Sequence, residues 1–388
     1  MTEFIRTIKP LESKSFFLFG ARGVGKSTFI RNFLRGKASL FVDLLSPAAE
    51  DKYAKNPDLL AREIIPHHAS LEWIVIDEVQ KCPKLLDVVQ MLIVEHQLKF
   101  ILSGSSARRL KQKGVNLLAG RALNEYMFPL THIELASAFD LQAVLETGSL
   151  PEVRTSESVE VQHAFLRAYA LNYITTEIQA EQWVKNLPPF RRFLEVAGQM
   201  NGKILNYTSI AKDIGVDPNT VQSYFEILED TLIGIRLPGF SRSLRKQQRQ
   251  APKFFLFDLG VKRALDRTLD VPLKPQTAAY GEAFEHFVIV EIMRQASYAR
   301  KDFRYSYLLT KDGVEIDLIV DRPGRPTVLV EIKSKNQIDS HDGRHLKHFE
   351  TDFKDPLRII ISNDETEKNF DGIKSQHWRK GIREIIDL

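Results

Sequence analysis

Eight consecutive residues, Gly20-Ala21-Arg22-Gly23-Val24-Gly25-Lys26-Ser27, carry the clearest chemistry in this chain. They fit the pattern G-x-x-x-x-G-K-[ST]. Glycines leave backbone N–H groups uncovered, and the positive end of a following helix faces the same space, so a run of phosphates is the matching ligand. Lys26 is placed to reach β- and γ-phosphate oxygens, and the Ser27 hydroxyl to ligate Mg2+. The expected contact set is Gly20, Ala21, Arg22, Gly23, Val24, Gly25, Lys26, Ser27 and Thr28. The flanks supply the required setting. Phe16-Phe17-Leu18-Phe19 reads as a buried strand, and Thr28 to Leu34 continues at helical spacing.

Hydrolysis needs further groups downstream. Leu71-Glu72-Trp73-Ile74-Val75-Ile76-Asp77-Glu78 reads as a buried strand ending in two acids. Asp77 is expected to complete the Mg2+ shell and Glu78 to polarise the attacking water. The apolar strand Phe100-Ile101-Leu102 runs into Ser103-Gly104-Ser105-Ser106, where Ser105 is the hydroxyl expected near the γ-phosphate or the water. After a basic, helical stretch comes Asn116-Leu117-Leu118-Ala119-Gly120-Arg121, then the extended segment Glu125-Tyr126-Met127-Phe128.

In this order the parts, spanning residues 10 to 135, resemble the AAA+ family of ATPases. The resemblance implies ATP and Mg2+ as cofactors. It also makes Arg121 a finger that completes a neighbouring subunit's site, so a ring or hexamer of identical chains is expected. An Arg donated in trans would stabilise charge on the transferred phosphoryl group. Arg108 and Arg109 lie near the same strand and stay open as alternatives.

The whole chain must hold more than this. At 388 residues it exceeds one ordinary core, and 43% hydrophobic with 27% charged residues describes a soluble folded protein. No apolar run approaches the length that spans a bilayer, so no membrane partner and a cytoplasmic location are expected. The single cysteine, Cys82, excludes an internal disulfide and any zinc site built on several cysteines. A net charge of +4 is compatible with nucleic acid. Changes of pattern at Gly148-Ser149-Leu150-Pro151-Glu152 and in the basic run Ser241 to Gln250 divide the chain. The expected domains are residues 1–147, 148–260 and 261–388.

The middle segment ends in a nucleic-acid-reading pattern. Tyr207 to Ile214 and Asp217 to Tyr224 read as two helices joined at Gly215, with Asp217 as cap and Pro218 at the next position. Ile210, Ala211, Ile214, Val221 and Tyr224 would close their small core. Leu232 to Ile235 and Phe254 to Phe257 read as the strands of a hairpin whose loop carries Arg242, Arg245, Lys246 and Arg249. A helix-turn-helix with a basic wing is a winged helix, whose second helix and wing suit DNA, with Asn219, Gln222 and Ser223 facing bases. A protein–protein spacer is the open alternative.

The last third carries a second candidate site. Tyr280 to Val290 reads as an amphipathic helix with Phe284, Phe287 and Val288 inward and Glu285 near that face. Gly313 to Val320 and Thr327 to Lys333 read as strands. On the second, Glu331 and Lys333 share a face because side chains alternate. Asp317, Glu331 with Lys333, and a helix glutamate resemble the PD-(D/E)xK nuclease superfamily. The resemblance implies one or two Mg2+ ions held by Asp317, Glu331 and Glu285, with Glu315 a possible substitute and Lys333 positioning the nucleophile or offsetting transition-state charge. His341, His345 and His348 are expected on an exposed helix.

Over nearly its full length the chain resembles a group of prokaryotic AAA+ ATPases with such a C-terminal domain, a likeness carried by residues 148–153 and Pro252 to Gly260 as well. The expected architecture is therefore α/β: a P-loop parallel sheet sandwiched by helices, a helical and winged-helix segment, then an α/β nuclease-like domain. The expected function is Mg-dependent ATP hydrolysis coupled to DNA binding or remodelling, with metal-dependent phosphodiester cleavage by the C-terminal domain. A nucleotide-controlled switch with a non-catalytic C-terminal domain is the alternative, and RNA presents the same phosphates as DNA.

Overall fold

A chain that places apolar strands between amphipathic helices must cover both faces of each sheet. The computed structural model, which describes residues 4–105, 118, 120–173, 184, 186–241, 251–349 and 353–387, meets that demand with two compact units. The first comprises residues up to Leu130 together with Leu228–Ile233. The second comprises Thr131–Ile227 and Gly234–Leu388. Arg108, Arg109, Arg242, Arg245, Lys246 and Arg249 lie outside the described residues.

The first unit is a parallel sheet of five strands, β1 (Ser15–Phe19), β2 (Ser39–Asp43), β3 (Trp73–Asp77), β4 (Phe100–Gly104) and β5 (Ala122–Tyr126), in the order β2-β3-β4-β1-β5. Central strands β1, β3 and β4 are buried along their whole length, which is why they read as unbroken apolar runs. Each buried Phe or Leu among them contributes about 1.5–3 kcal/mol relative to exposure. Helix α1 (Lys26–Phe33) follows the phosphate loop, and α2 (Leu85–His96) packs its buried Leu85, Val89 and Leu92 into the same core. The acidic strand β3 does not adjoin β1. β4 lies between them, so groups on β4 stand between the phosphate loop and Asp77.

In the second unit, α3 (Leu187–Gln199), α4 (Tyr207–Ile214) and α5 (Pro218–Asp230, whose residues from Leu228 on count with the first unit) precede a two-stranded hairpin, β6 (Gly234–Leu237) and β7 (Lys253–Leu256). Gly215 takes a left-handed φ of 74° to end α4, and the Asp217 carboxylate accepts from the Asn219 and Thr220 N–H groups at 2.9 and 3.0 Å to start α5. An aromatic core ties the pieces together, with Phe193 to Phe225 and Phe225 to Phe254 both at 4.8 Å between ring centroids. The first hairpin strand begins at Gly234 rather than Leu232. Leu232 adopts φ 60° and the Ile233 N–H bonds back to Leu228 O, closing α5 before extension can begin.

The remaining strands, β8 (Arg304–Leu309), β9 (Glu315–Asp321), β10 (Val328–Lys333), β11 (Leu357–Ser362), β12 (Lys368–Phe370) and β13 (Ile373–His377), form one mixed sheet in the order β12-β13-β11-β10-β9-β8. β10, β11 and β13 run parallel, while β8, β9 and β12 are antiparallel to their neighbours. Helix α6 (Ala278–Tyr298) packs on β10, and α7 (Trp378–Asp387) on β11 and β13. Phe284, Phe287 and Val288 of α6 are buried as their spacing requires. The hairpin joins this sheet through Tyr307 of β8, whose N–H donates to Pro238 O at 3.0 Å. Among the described residues no helix is long and apolar enough to cross a membrane.

The pattern break at residues 148–153 marks a buried polar pin. The Asp258 carboxylate is 1% exposed and accepts from the Ser149 N–H at 2.7 Å and the Val261 N–H at 3.1 Å. Arg294 donates to Ser149 Oγ at 3.2 Å. Gly148 sits at φ 72°, and a Cβ there would stand 2.0 Å from the Asp258 carboxylate. Gly148→Ala is expected to destabilise the second unit by about 2–4 kcal/mol, from left-handed strain plus loss of a buried hydrogen-bonded carboxylate. Gly313→Ala, at φ 81° with no atom near its Cβ, should cost about 1 kcal/mol from strain alone. Urea unfolding of both variants checks the contrast; equal losses would remove the role assigned to Asp258.

Candidate functional site

The first unit gathers its polar groups at the carboxyl ends of β1, β3 and β4. Gly20 leaves β1 where only a hydrogen fits, because a Cβ would lie 2.4 Å from Met127 O. The loop then turns through Gly23 and Gly25 at φ 79° and 99°, and Gly25 forms the N-cap of α1. Val24 is buried and anchors the loop, whereas Arg22 and Gly23 face outward. Lys26, Ser27 and Thr28 open the helix. The Lys26 ammonium is largely buried, and donates to Gly20 O at 2.7 Å and Ala21 O at 3.3 Å.

Asp77 ends β3 and is 5% exposed. The Ser27 hydroxyl donates to its Oδ2 at 3.3 Å, and the Ser103 hydroxyl of β4 donates to Oδ1. Ser103 therefore touches the acid. A serine with no exposure inside an apolar strand needs a partner, and that demand was its signal in the sequence. Glu78 follows at φ 58°, ψ 46°, a left-handed conformation that is uncommon for a non-glycine residue. Gln80 donates from Nε2 to Glu78 and, at 3.2 Å, to Ser105 Oγ. Gln80 links the two residues expected at the water, and nothing in its type or spacing singled it out. Arg121 directly precedes β5, is partly exposed, and follows the left-handed Gly120.

The second unit brings Asp317 of β9, Glu331 and Lys333 of β10 and Glu285 of α6 to one place. Glu285, Asp317 and Lys333 line a cleft of about 920 Å³ with Tyr280, Gly281 and Ser334. Asp317 Oδ2 accepts from the Ile332 N–H at 2.7 Å, which fixes β9 against β10. Glu331 is 4% exposed and is paired twice, with Lys333 at 2.5 Å and His345 Nε2 at 2.9 Å. His345 was expected on an exposed helix. It lies instead in a short 3-10 segment, Arg344–Phe349, which turns its ring onto Glu331.

Lys253 of β7 was not foreseen, because the apolar run after it hides a buried lysine at a strand start. Its ammonium lies 3.2 Å from Glu285 and 2.5 Å from Glu315 of β9. Burial works against that ammonium, but Glu285 and Glu315, with Asp317 behind them, more than offset it and raise its pKa above the ordinary lysine value. Burial, and then the charges of Glu331 and Glu285, push the Asp317 carboxyl well above the usual range, against the Ile332 N–H and Lys333. Glu285 is raised as well, first by burial, with Glu315 and Glu331 acting against the pull of Lys253. Burial lowers Lys333, and Glu331 and Asp317 outweigh it upward.

With the geometry in view, comparison with known proteins separates the segments. Residues 12–136 match the model of an AAA domain. Residues 138–272 and 280–378 match two domains of unknown function (DUF8612 and DUF4143). The chain is 25% identical over 313 residues to uncharacterized proteins of Mycobacterium tuberculosis and Mycobacterium bovis, covering 80% of this chain and 68% of each of them. It is 21% identical over 400 residues to an uncharacterized protein of Haemophilus influenzae, covering 96% and 92%. A Walker-type ATPase of Pyrococcus abyssi superposes with a TM-score of 0.43 at 14% identity, over 64% of this chain and 90% of that one. The parallel sheet, the phosphate loop and the AAA match together define the first unit as a P-loop ATPase-like domain.

Asp317 makes the second site's charge balance measurable. A carboxyl raised in the folded state keeps its proton where the unfolded chain has released it. Stability therefore falls as pH rises from the ordinary carboxylate range through the raised value. Asp317→Asn, whose amide oxygen can still accept from Ile332, should remove that slope. Its gain in urea midpoint over the parent chain is expected to be small at about pH 4 and to grow toward about pH 8. A constant offset across that range would contradict the assignment.

Proposed function

We propose that the chain is a Mg-dependent ATPase whose nucleotide cycle acts on DNA. The observation that carries the hydrolytic part is the convergence of Lys26, the Ser27 hydroxyl and the doubly bonded Asp77 at the end of one parallel sheet. A hydroxyl and a carboxylate oxygen 3.3 Å apart are hard donors that suit Mg2+, and Ser27 and Asp77 would hold it. When bound, that ion supplies charge neutralisation between the β- and γ-phosphates.

The chain's own residues do the remainder. The loop N–H groups from Gly20 to Thr28 orient the phosphates, and Lys26 exchanges its bonds to loop carbonyls for phosphate oxygens. Glu78 orients and polarises the water, held by the Gln80 amide that also touches Ser105. Arg121 has no side-chain hydrogen bond or ion pair among the described residues, which supports donation to a neighbouring subunit in a homo-oligomeric ring. The helix-turn-helix of α4 and α5 with its hairpin supports a DNA partner, reached through Asn219, Gln222 and Ser223 and through Arg242, Arg245, Lys246 and Arg249.

Phosphodiester cleavage in the second cleft is the other reading, favoured by Asp317, Glu331 and Lys333 lining or adjoining one cavity. As held here, however, the carboxylates do not form a ligand set. Among the described residues no three His, Cys, Asp or Glu side chains are grouped to hold a metal, and lysines and His345 pair with Glu285, Glu315 and Glu331. Cutting therefore requires those ion pairs to open, and a domain that grips a partner without cutting fits the same geometry.

Lys26→Ala is expected to abolish ATP binding, whereas Glu78→Gln should bind ATP and lose about 10²–10⁴-fold in turnover. Arg121→Ala and Glu78→Gln chains, each inactive alone, should regain activity when mixed, and no recovery would place Arg121 outside a trans role. DNA should stimulate turnover; equal rates with and without single-stranded, duplex and branched DNA would sink the DNA coupling. Labelled DNA incubated with Mg2+ or Mn2+, with and without ATP, beside Glu331→Ala decides the second reading. Cleavage lost in that variant supports it, and no cleavage under any condition leaves the phosphate-loop site as the catalytic centre.

A further inference from the structure

The second cleft contains a positive charge that belongs to another part of the unit. Four carboxylates, Glu285, Glu315, Asp317 and Glu331, gather there, and Glu331 adds to the upward shift of both Glu285 and Asp317. Two lysine ammonium groups answer them, and they come from different elements. Lys333 shares strand β10 with Glu331, so it is local. Lys253 belongs to β7 of the hairpin, and its side chain is only 7% exposed.

The position of Lys253 is built rather than incidental. Its backbone pairs with Leu237 of β6 and bridges to Ile204. Tyr307 supports it from below, with the ring centroid 5.6 Å from the ammonium and the phenol hydroxyl donating to Ala251 O at 2.6 Å. From there Nζ spans α6 and β9, at 3.2 Å from Glu285 Oε1 and 2.5 Å from Glu315 Oε1. The next residue, Phe254, packs against Phe225 of α5. One strand thus links the carboxylates at one residue to the helix-turn-helix core at the next.

We propose that Lys253 is an internal latch whose ammonium occupies the place a divalent cation would take between Glu285 and Glu315. A hard divalent cation binds carboxylate oxygens at about 2.0–2.6 Å, so it cannot share those oxygens with an ammonium already in contact. Electrostatic repulsion adds to the exclusion. Cation entry must displace Lys253, and by linkage whatever unseats β7 must raise cation affinity by the same factor. The hairpin and helix-turn-helix therefore control the cleft. This inference rests on reading the cleft as a cation-dependent site.

The test uses the full chain without nucleotide, carrying Asp77→Asn to silence the phosphate-loop site, and measures Mn2+ binding by calorimetry. Lys253→Met is expected to bind Mn2+ about ten-fold tighter or more, within the usual range of coupling between sites, and Lys253→Arg to stay within about two-fold of the parent. Adding Glu285→Gln to Lys253→Met should reverse the gain. Equal affinity in the parent and Lys253→Met overturns the latch and leaves the cation reading standing. No Mn2+ binding by any of the proteins overturns both.

Should Lys253→Met fail to fold, hydrogen exchange in the parent decides the matter. Mn2+ is expected to speed exchange at the backbone amides of β7. Exchange unchanged at saturating Mn2+ overturns the latch.

Discussion

Charge removed from water has to be met by opposite charge or by hydrogen bonds, and both polar centres of this chain are organised by that requirement. Asp77 is nearly enclosed, and the hydroxyls of Ser27 and Ser103 answer its two oxygens. Because β4 lies between β1 and β3, a serine on β4 stands beside Asp77, and Ser27 at the start of α1 reaches the same carboxylate. The sheet order thereby decides which side chains meet the acid. The same requirement holds Glu331 between Lys333 and His345, and draws Lys253 across to Glu285 and Glu315.

The two centres answer it differently. In the first unit the acid is met by neutral hydroxyls, one of them from the residue that follows the loop lysine. In the second unit the acids are satisfied by ammonium and imidazole groups, which occupy the oxygens that a cation would need. A carboxylate cluster assembled from α6, β9 and β10 carries part of its countercharge on β7, a strand that also packs Phe254 against Phe225 of α5. Electrostatic compensation by Lys253 and packing by Phe254 fall on consecutive residues of one strand.

Local readings succeeded where neighbours in sequence are neighbours in space. The phosphate loop is contiguous and its glycines announce their left-handed turns, so its conformation and the helix after it were legible. Buried strands β1, β3 and β4 read as unbroken apolar runs because both their faces are covered. The shared face of Glu331 and Lys333 follows from strand alternation, and their ion pair bears it out. The start of β6 was misplaced by two residues, since the left-handed turn at Leu232 that closes α5 leaves no compositional mark. His345 was misplaced because its surroundings of Asp, Arg and Lys describe an exposed segment, whereas its ring meets an acid on β10.

The sequence alone determined what can be written within a dozen residues: the phosphate-binding loop, the acids at the end of an apolar strand, the helix-turn-helix caps and the acid–lysine alternation on β10. These depend on backbone preference, burial period and side-chain type, which are local properties. The tertiary structure alone decided which charges answer one another. Lys253 meets Glu285 and Glu315, and Ser103 meets Asp77, across separations of 32, 62 and 26 residues. Coulombic and hydrogen-bonding partners are chosen by distance in space, and strand order and helix packing set those distances.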